Sequence, residues 1–161
     1  THMWERKNYM LEKLDEAAEN NTSTLKYCWN LLREYPYMGP FMAYEVVTDL
    51  NYPRILKNAK DKYEWANAGP GAKRGLNRIY DRELKKPLRQ NPSNLEMQKI
   101  LYFADAYLPE NVSKHMDMRA VEHSLCEWDK YERVRLNQGR PRSKFVPSKN
   151  FIQGPINDEK S

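Results

Sequence analysis

"LREYPYMGPFMAYEVV", residues Leu32 to Val47, decides the fold. A helical pattern runs into Tyr35-Pro36, turns through Tyr37-Met38-Gly39 and restarts on Pro40. Pro36 cannot continue a helix. Pro40 suits the first position of a new one, because proline presets φ and lacks only an N–H that a helix start leaves unpaired. The stretch therefore reads as two helices joined by a tight hairpin. A glycine at the mouth of the second helix lets a phosphate approach bare backbone N–H groups, where the helix dipole favours negative charge. An ordinary αα-hairpin, in which Gly39 relieves a backbone clash, accounts for the same residues without a ligand.

The rest of the chain reads as helix too. Trp4, Leu11, Leu14 and Ala18 recur at helical spacing, and Asn21 to Ser23 offer caps for a helix whose Leu25, Cys28, Trp29 and Leu32 share a face. After Pro40 come Phe41, Tyr44, Val47 and Leu50. A short helix is expected after Pro53, a sharp turn in "ANAGPGAKRG", a helix over 72–82, and a linker in "KKPLRQNPS". Ser93 is expected to cap a helix over 95–108 that Pro109 closes. Asp117 is expected to cap the longest helix, from Met118 to about Gln138, with Gly139 at its end. Its buried stripe should be Val121, Leu125, Trp128 and Leu136. No period-2 strand pattern or internal repeat occurs, so the predicted class is all-α: one compact helical domain over 4–138. Residues 1–3 read as a cloning remnant and start, and 139–161 as a basic Pro/Gly-rich arm.

The 161 residues suffice for a core, and 40% hydrophobic with 12% aromatic content is globular rather than disordered. No apolar run reaches membrane-spanning length, so no membrane partner is expected. Cys28 and Cys126 are too far apart for a metal spacing or a disulfide framework, which points to a reducing compartment. With His2, His115 and His123 the only histidines, a zinc site is not expected, and no cofactor is called for. The net charge of +5 and pI near 9.1 suit a polyanion partner. Most of the excess lies in Lys73–Arg89 and Arg133–Lys149, while Glu12–Glu19 is acidic. Solvated basic faces are the plainer alternative.

Two further stretches carry chemistry. "GPGAKRG" is not a P-loop, since Gly-Lys-Ser/Thr and a preceding strand are both missing. Its glycines, with Lys73 and Arg74 opening a helix, form either a second anion pocket or a tight turn. In "AVEHSLCEWDKYERVR", Glu122, Cys126, Asp129 and Arg133 fall within a narrow arc of one helix. Partly buried, the two carboxylates can hold a proton; exposed, they are surface charges paired with arginines. Flanking anions raise the pKa of Cys126, so it reads as packing rather than as a nucleophile. His123, Glu127 and Lys130 read as a surface charge cluster on another face.

The hairpin resembles a helix–hairpin–helix motif: Leu32, Tyr35, Pro36-Tyr37-Met38-Gly39 and Ala43 fall on the motif's leucine, apolar, Pro-Gly-Val-Gly and alanine positions. Tyr37 stands where the family usually has its first glycine. Helix–hairpin–helix DNA glycosylases place a catalytic aspartate downstream, near a basic turn. Arg74 and Arg78 are the counterparts of that turn, but Gly69-Pro70-Gly71 replaces the aspartate, which argues against base excision. Nor are there cysteines for an iron–sulfur centre.

Together, "YPYMGPFMAYEVVTDLNY", "AGPGAKRGLNRI" and "VEHSLCEWDKYERVR" resemble the family of α-glutamyl/putrescinyl thymine pyrophosphorylases. These are amino acid:DNA transferase-like and hydroxymethyl-uracil DNA kinase-associated helical domains, encoded mainly by phages. The resemblance implies a DNA-glycosylase-like fold working in the cytoplasm of an infected host. It implies transfer of an amine or amino acid onto a (pyro)phosphorylated 5-hydroxymethyl-uracil flipped from DNA. Tyr37, Gly39, Gly69, Gly71, Lys73, Arg74 and Arg78 would hold DNA or the leaving phosphate, and Glu122, Asp129 or Asp49 would take the amine's proton. The alternative is a non-catalytic DNA-binding module serving a hydroxymethyl-uracil DNA kinase. A protein-interaction helical domain is a third reading, discriminated by a scattered basic surface.

Overall fold

The computed structural model describes residues 5–19, 24–51 and 56–139. The expectations for residues 1–4, the caps Asn21 to Ser23 and the arm from 140 lie outside the described residues, as does the side chain of Ala18. Of the segment expected to hold a short helix after Pro53, residues 56–64 are described and form turns rather than a helix. The helices are α1 (Lys7–Glu19), α2 (Leu25–Leu32), α3 (Pro40–Asp49), α4 (Pro70–Ile79), α5 (Gln90–Tyr107), α6 (Glu110–Ser113) and α7 (Met118–Arg135). No strand occurs among the described residues, so the class is all-α. None of these helices is long and apolar enough to cross a membrane.

Helix α2 starts on Thr24, whose hydroxyl accepts the Tyr27 N–H at 3.0 Å. Asp61, from the loop before α4, accepts the next free donors, the N–H groups of Leu25 at 2.8 Å and Lys26 at 2.9 Å. A carboxylate there also suits the positive end of the helix dipole. α2 ends at Leu32, and Tyr37 makes the hairpin with φ of +67°, a left-handed conformation uncommon outside glycine. Gly39, by contrast, has an ordinary φ of −64° and open space where a Cβ would stand. It relieves no clash; the residue carrying the turn is Tyr37. Pro40 opens α3, and its carbonyl accepts both the Trp29 indole N–H at 2.9 Å and the Asn67 amide at 3.1 Å. The hairpin is thereby tied to the loop that leads into α4.

The core gathers Leu25, Cys28 and Leu32 of α2, Tyr44 and Val47 of α3, Leu56 and Trp65 of the loop, and Leu76, Met97, Val121 and Leu125. Trp65 packs between Trp29 and Tyr44, with ring centroids 5.6 Å from each. The most extensively packed helix pair is α4 on α7, where Gly71 faces Cys126 and Gly75 lies against the Leu125 backbone.

Several boundaries differ from the sequence expectation. Helix α4 begins at Pro70 rather than residue 72, for the same reason α3 begins at Pro40. Ser93 does not cap α5: the helix starts at Gln90, Pro92 fits its first turn, and the Ser93 hydroxyl donates back to the Arg89 carbonyl at 2.9 Å. Asp117 does cap α7, accepting the Ala120 N–H at 2.8 Å. Trp128 and Leu136 are exposed, and the face of α7 turned inward carries Glu122, Asp129 and Glu132 beside Val121 and Leu125. The reason lies opposite: α4 brings arginines, not apolar side chains, to the far half of that contact.

Candidate functional site

The N-terminus of α4 and the middle of α7 build one site. Gly69 is the N-cap of α4 and offers no side chain to its free N–H groups. The Gly69 N–H itself donates to Glu122 Oε1 at 3.2 Å. Glu122 is only 8% exposed, so loss of hydration pushes its carboxyl above the usual range, against the smaller opposing pulls of the Gly69 N–H and the Arg119 guanidinium. Arg119 Nη1 lies 4.0 Å from Glu122 Oε2, and its Nη2 lies 3.5 Å from Glu45. Over these groups opens a cleft of about 540 Å³, walled by Phe41 and Tyr44 of α3, the Gly69–Gly71 turn, Lys73 and Glu122. Burial, then the Glu122 charge, raises the Tyr44 hydroxyl's pKa and keeps it a donor. Cys126 also borders the cleft, and burial first of all raises its thiol, which does not suit a nucleophile.

Lys73 borders a second cleft, of about 400 Å³, with Arg74, Lys85 and Lys86, and no carboxylate lines it. On the far side of Arg74 sits Asp129, fully buried. Arg74 reaches it through Nε and Nη2, both at 2.8 Å, Arg78 Nε lies at 3.3 Å and Arg133 Nε at 3.4 Å. Arg78 also donates to Gln138 at 2.7 Å. Asp129 lines neither cleft; its carboxylate is the hub that fixes three arginines between α4 and α7.

The structure therefore brings Gly69, Gly71, Lys73 and Glu122 together in one cleft beside the start of α3, with Arg74 next door. It does not bring the three candidate carboxylates together: Asp129 is locked among arginines, and Asp49 is exposed at the end of α3 and lines neither cleft. Tyr37 stands out from the hairpin at 99% exposure. Arg119, Lys85 and Lys86 are site residues that the sequence reading did not single out. The lysines were visible only as part of a charge excess, and Arg119 only as a helix neighbour of Glu122.

Among the described residues, this is an all-helical domain whose Gly69–Glu122 cleft adjoins a cleft lined by Lys73, Arg74, Lys85 and Lys86. The chain belongs to the family described as 5-hmdU DNA kinase, helical domain, which matches residues 2–140. It is similar to a 5-hmdU DNA kinase of Bacillus phage SP10, at 26% identity, covering 76% of this chain and 21% of that protein. The chain thus spans about a fifth of that relative's length. No solved structure matches it.

Proposed function

We propose that this chain is the DNA-holding module of a kinase that phosphorylates 5-hmdU in DNA, gripping the backbone beside α4 and receiving the modified base in the Glu122 cleft. The observation that carries this reading is the pair of clefts meeting at Lys73: one carboxylate-free and basic, the other half-apolar and large enough for a nucleoside. Small-molecule pockets run about 300–1,000 Å³, and a cleft of about 540 Å³ falls within that range. A base must leave the stack for chemistry on its exocyclic group, at a cost of a few kcal/mol. The groups present suit a uracil edge: Glu122 accepts from the ring N–H, while Tyr44 and Lys73 offer donors to the ring carbonyls. Lys73, Lys85 and Lys86 suit phosphates. The kinase domain expected on the rest of such a protein supplies the phosphoryl chemistry.

The test is binding to duplexes carrying thymine or 5-hmdU over a range of salt concentrations. Each phosphate neutralised contributes about −0.9 to the slope of log K against log salt. The triple variant Lys73→Ala, Lys85→Ala, Lys86→Ala should therefore flatten the slope by about 2.7. A wild-type chain with no affinity for either duplex, or a triple variant with the parent slope, sinks the reading.

One observation favours amine transfer as a second reading. Glu122, its pKa raised by burial, lies within the same cleft as Lys73, so a base for an incoming amine and a cation for a leaving phosphate stand together. Under that reading, phosphorylated 5-hmdU DNA binds more tightly than 5-hmdU DNA, and mass spectrometry detects an amine adduct that Glu122→Gln abolishes. The DNA-holding reading expects no adduct.

A further inference from the structure

A third cleft lies where α3 ends and α7 begins. Its volume is about 530 Å³, and Lys62, Lys114, His115, Arg119 and His123 line it. Lys62 and Lys114 make no ion pair among the described residues. The single carboxylate in the lining is Asp117, and one of its oxygens is already occupied by the Ala120 N–H at 2.8 Å. His123 Nδ1 lies 3.1 Å from Arg119 Nη1, which orients it as an acceptor there and leaves the other ring nitrogen as a donor. Asn51 Oδ1, also in the lining, is buried with no hydrogen-bond partner among the described residues. The lining therefore sets several cationic donors against one carboxylate that is already partly occupied, a pattern that suits a phosphate.

Position adds to the chemistry. Arg119 and His123 line this cleft and the Glu122 cleft alike, so they form a wall common to both. We propose that this third cleft is a nucleotide phosphate site, filled by the backbone phosphate next to the nucleotide whose base enters the Glu122 cleft. That part rests on the DNA-holding reading above. A free nucleoside triphosphate has the same phosphate chemistry and is the other source the experiment must separate.

The experiment uses the full chain and a Lys62→Gln, Lys114→Gln double variant, whose folding is checked by its far-ultraviolet circular dichroism and its unfolding midpoint. Both proteins are titrated with 5-hmdU duplex at several salt concentrations, and with ATP and inorganic pyrophosphate by calorimetry. The expected result is a DNA salt slope flatter by about 0.9, one phosphate's worth, in the double variant, with affinity lowered at least tenfold at low salt. A neutral methylphosphonate beside the 5-hmdU should weaken the parent and leave the double variant little changed. Saturable ATP binding lost in the double variant, with DNA binding intact, keeps a phosphate site but overturns the backbone assignment. Parental DNA binding and no nucleotide binding overturn the site altogether. The two readings fail separately: if the Lys73, Lys85, Lys86 variant loses DNA while the Lys62, Lys114 variant does not, only this inference falls. If the parent binds ATP through Lys62 and Lys114 but no DNA, the DNA-holding reading falls and the backbone assignment falls with it, leaving only a free-nucleotide phosphate site.

Discussion

Replacing Gly75 by alanine tests the close approach of α4 to α7 that shapes the Glu122 cleft. A Cβ at Gly75 would stand 2.8 Å from the Leu125 carbonyl oxygen and 3.2 Å from that residue's Cβ and Cδ2. Gly75 is interior to α4, where alanine is worth about 1 kcal/mol over glycine in helix propensity. Against this, overpacking a tight contact costs about 1–3 kcal/mol. The obstructing atom belongs to the α7 backbone and cannot rotate aside, so the steric cost wins. The expected outcome is a net loss of up to about 2 kcal/mol, read as a lower urea midpoint at unchanged m-value. Gly71→Ala is the contrast. Its Cβ would meet Cys126 Sγ at 2.6 Å, while the Cys126 Cα and Cβ lie at a tolerable 3.4 Å. Here the obstruction is one sulfur, so the loss should be smaller and should disappear in a Cys126→Ala background. A stabilised Gly75→Ala protein, or a Gly71→Ala loss that Cys126→Ala does not recover, would refute the close packing.

Two further outcomes follow from single contacts. Burial raises the Glu122 pKa in the folded state, so between the unfolded and folded values the native state binds more protons. That group's contribution therefore falls as pH rises through this window and stays low above it. Glu122→Gln, which keeps an acceptor for the Gly69 N–H, should be more stable than the parent at neutral pH and lack that fall; a less stable variant at neutral pH contradicts the assignment. Asp61→Ala removes the acceptor for two N–H groups of α2 and should cost about 1–2 kcal/mol by thermal or denaturant unfolding, with Thr24 still in place as the local cap. A loss below a few tenths would mean water replaces the carboxylate without penalty.

The helices were legible wherever proline, a cap or an apolar face announced them: Pro40, Asp117, and the Leu25, Cys28, Leu32 face of α2 all hold. What periodicity could not show was which face of α7 turns inward. An apolar count favours Trp128 and Leu136, but burial follows the partner, and α4 presents arginines that the buried Asp129 carboxylate receives. The hairpin's two helices were read correctly, but the residue carrying its turn was not visible. Gly39 drew attention as the mouth of a helix open to a phosphate, whereas the positive φ belongs to Tyr37. Of the site, Glu122, Gly69 and Lys73 were visible as motifs fifty residues apart, and only the fold joins them. Asp61 capping a helix 36 residues upstream has no sequence signature at all.

The basic stretch from Lys73 to Arg89 also carries less outward charge than its composition implies. Arg74 and Arg78 are committed to Asp129, and Arg82 pairs with Glu96. What remains facing the second cleft are the lysines at 73, 85 and 86, with the exposed part of Arg74 among them. This division follows side-chain chemistry. A guanidinium can spend one edge on a buried carboxylate in fixed geometry, while an ammonium on a flexible stem suits a phosphate whose position varies along DNA. The same arginines thus fix α4 on α7, and the turn at Gly69 and the carboxyl of Glu122 are held in register by that joint. On the proposed DNA-holding reading, a surface for a polyanion and a cleft for one base are then not separate features of the chain. They are the outer and inner sides of one helix pair, and the buried Asp129 is what keeps them aligned.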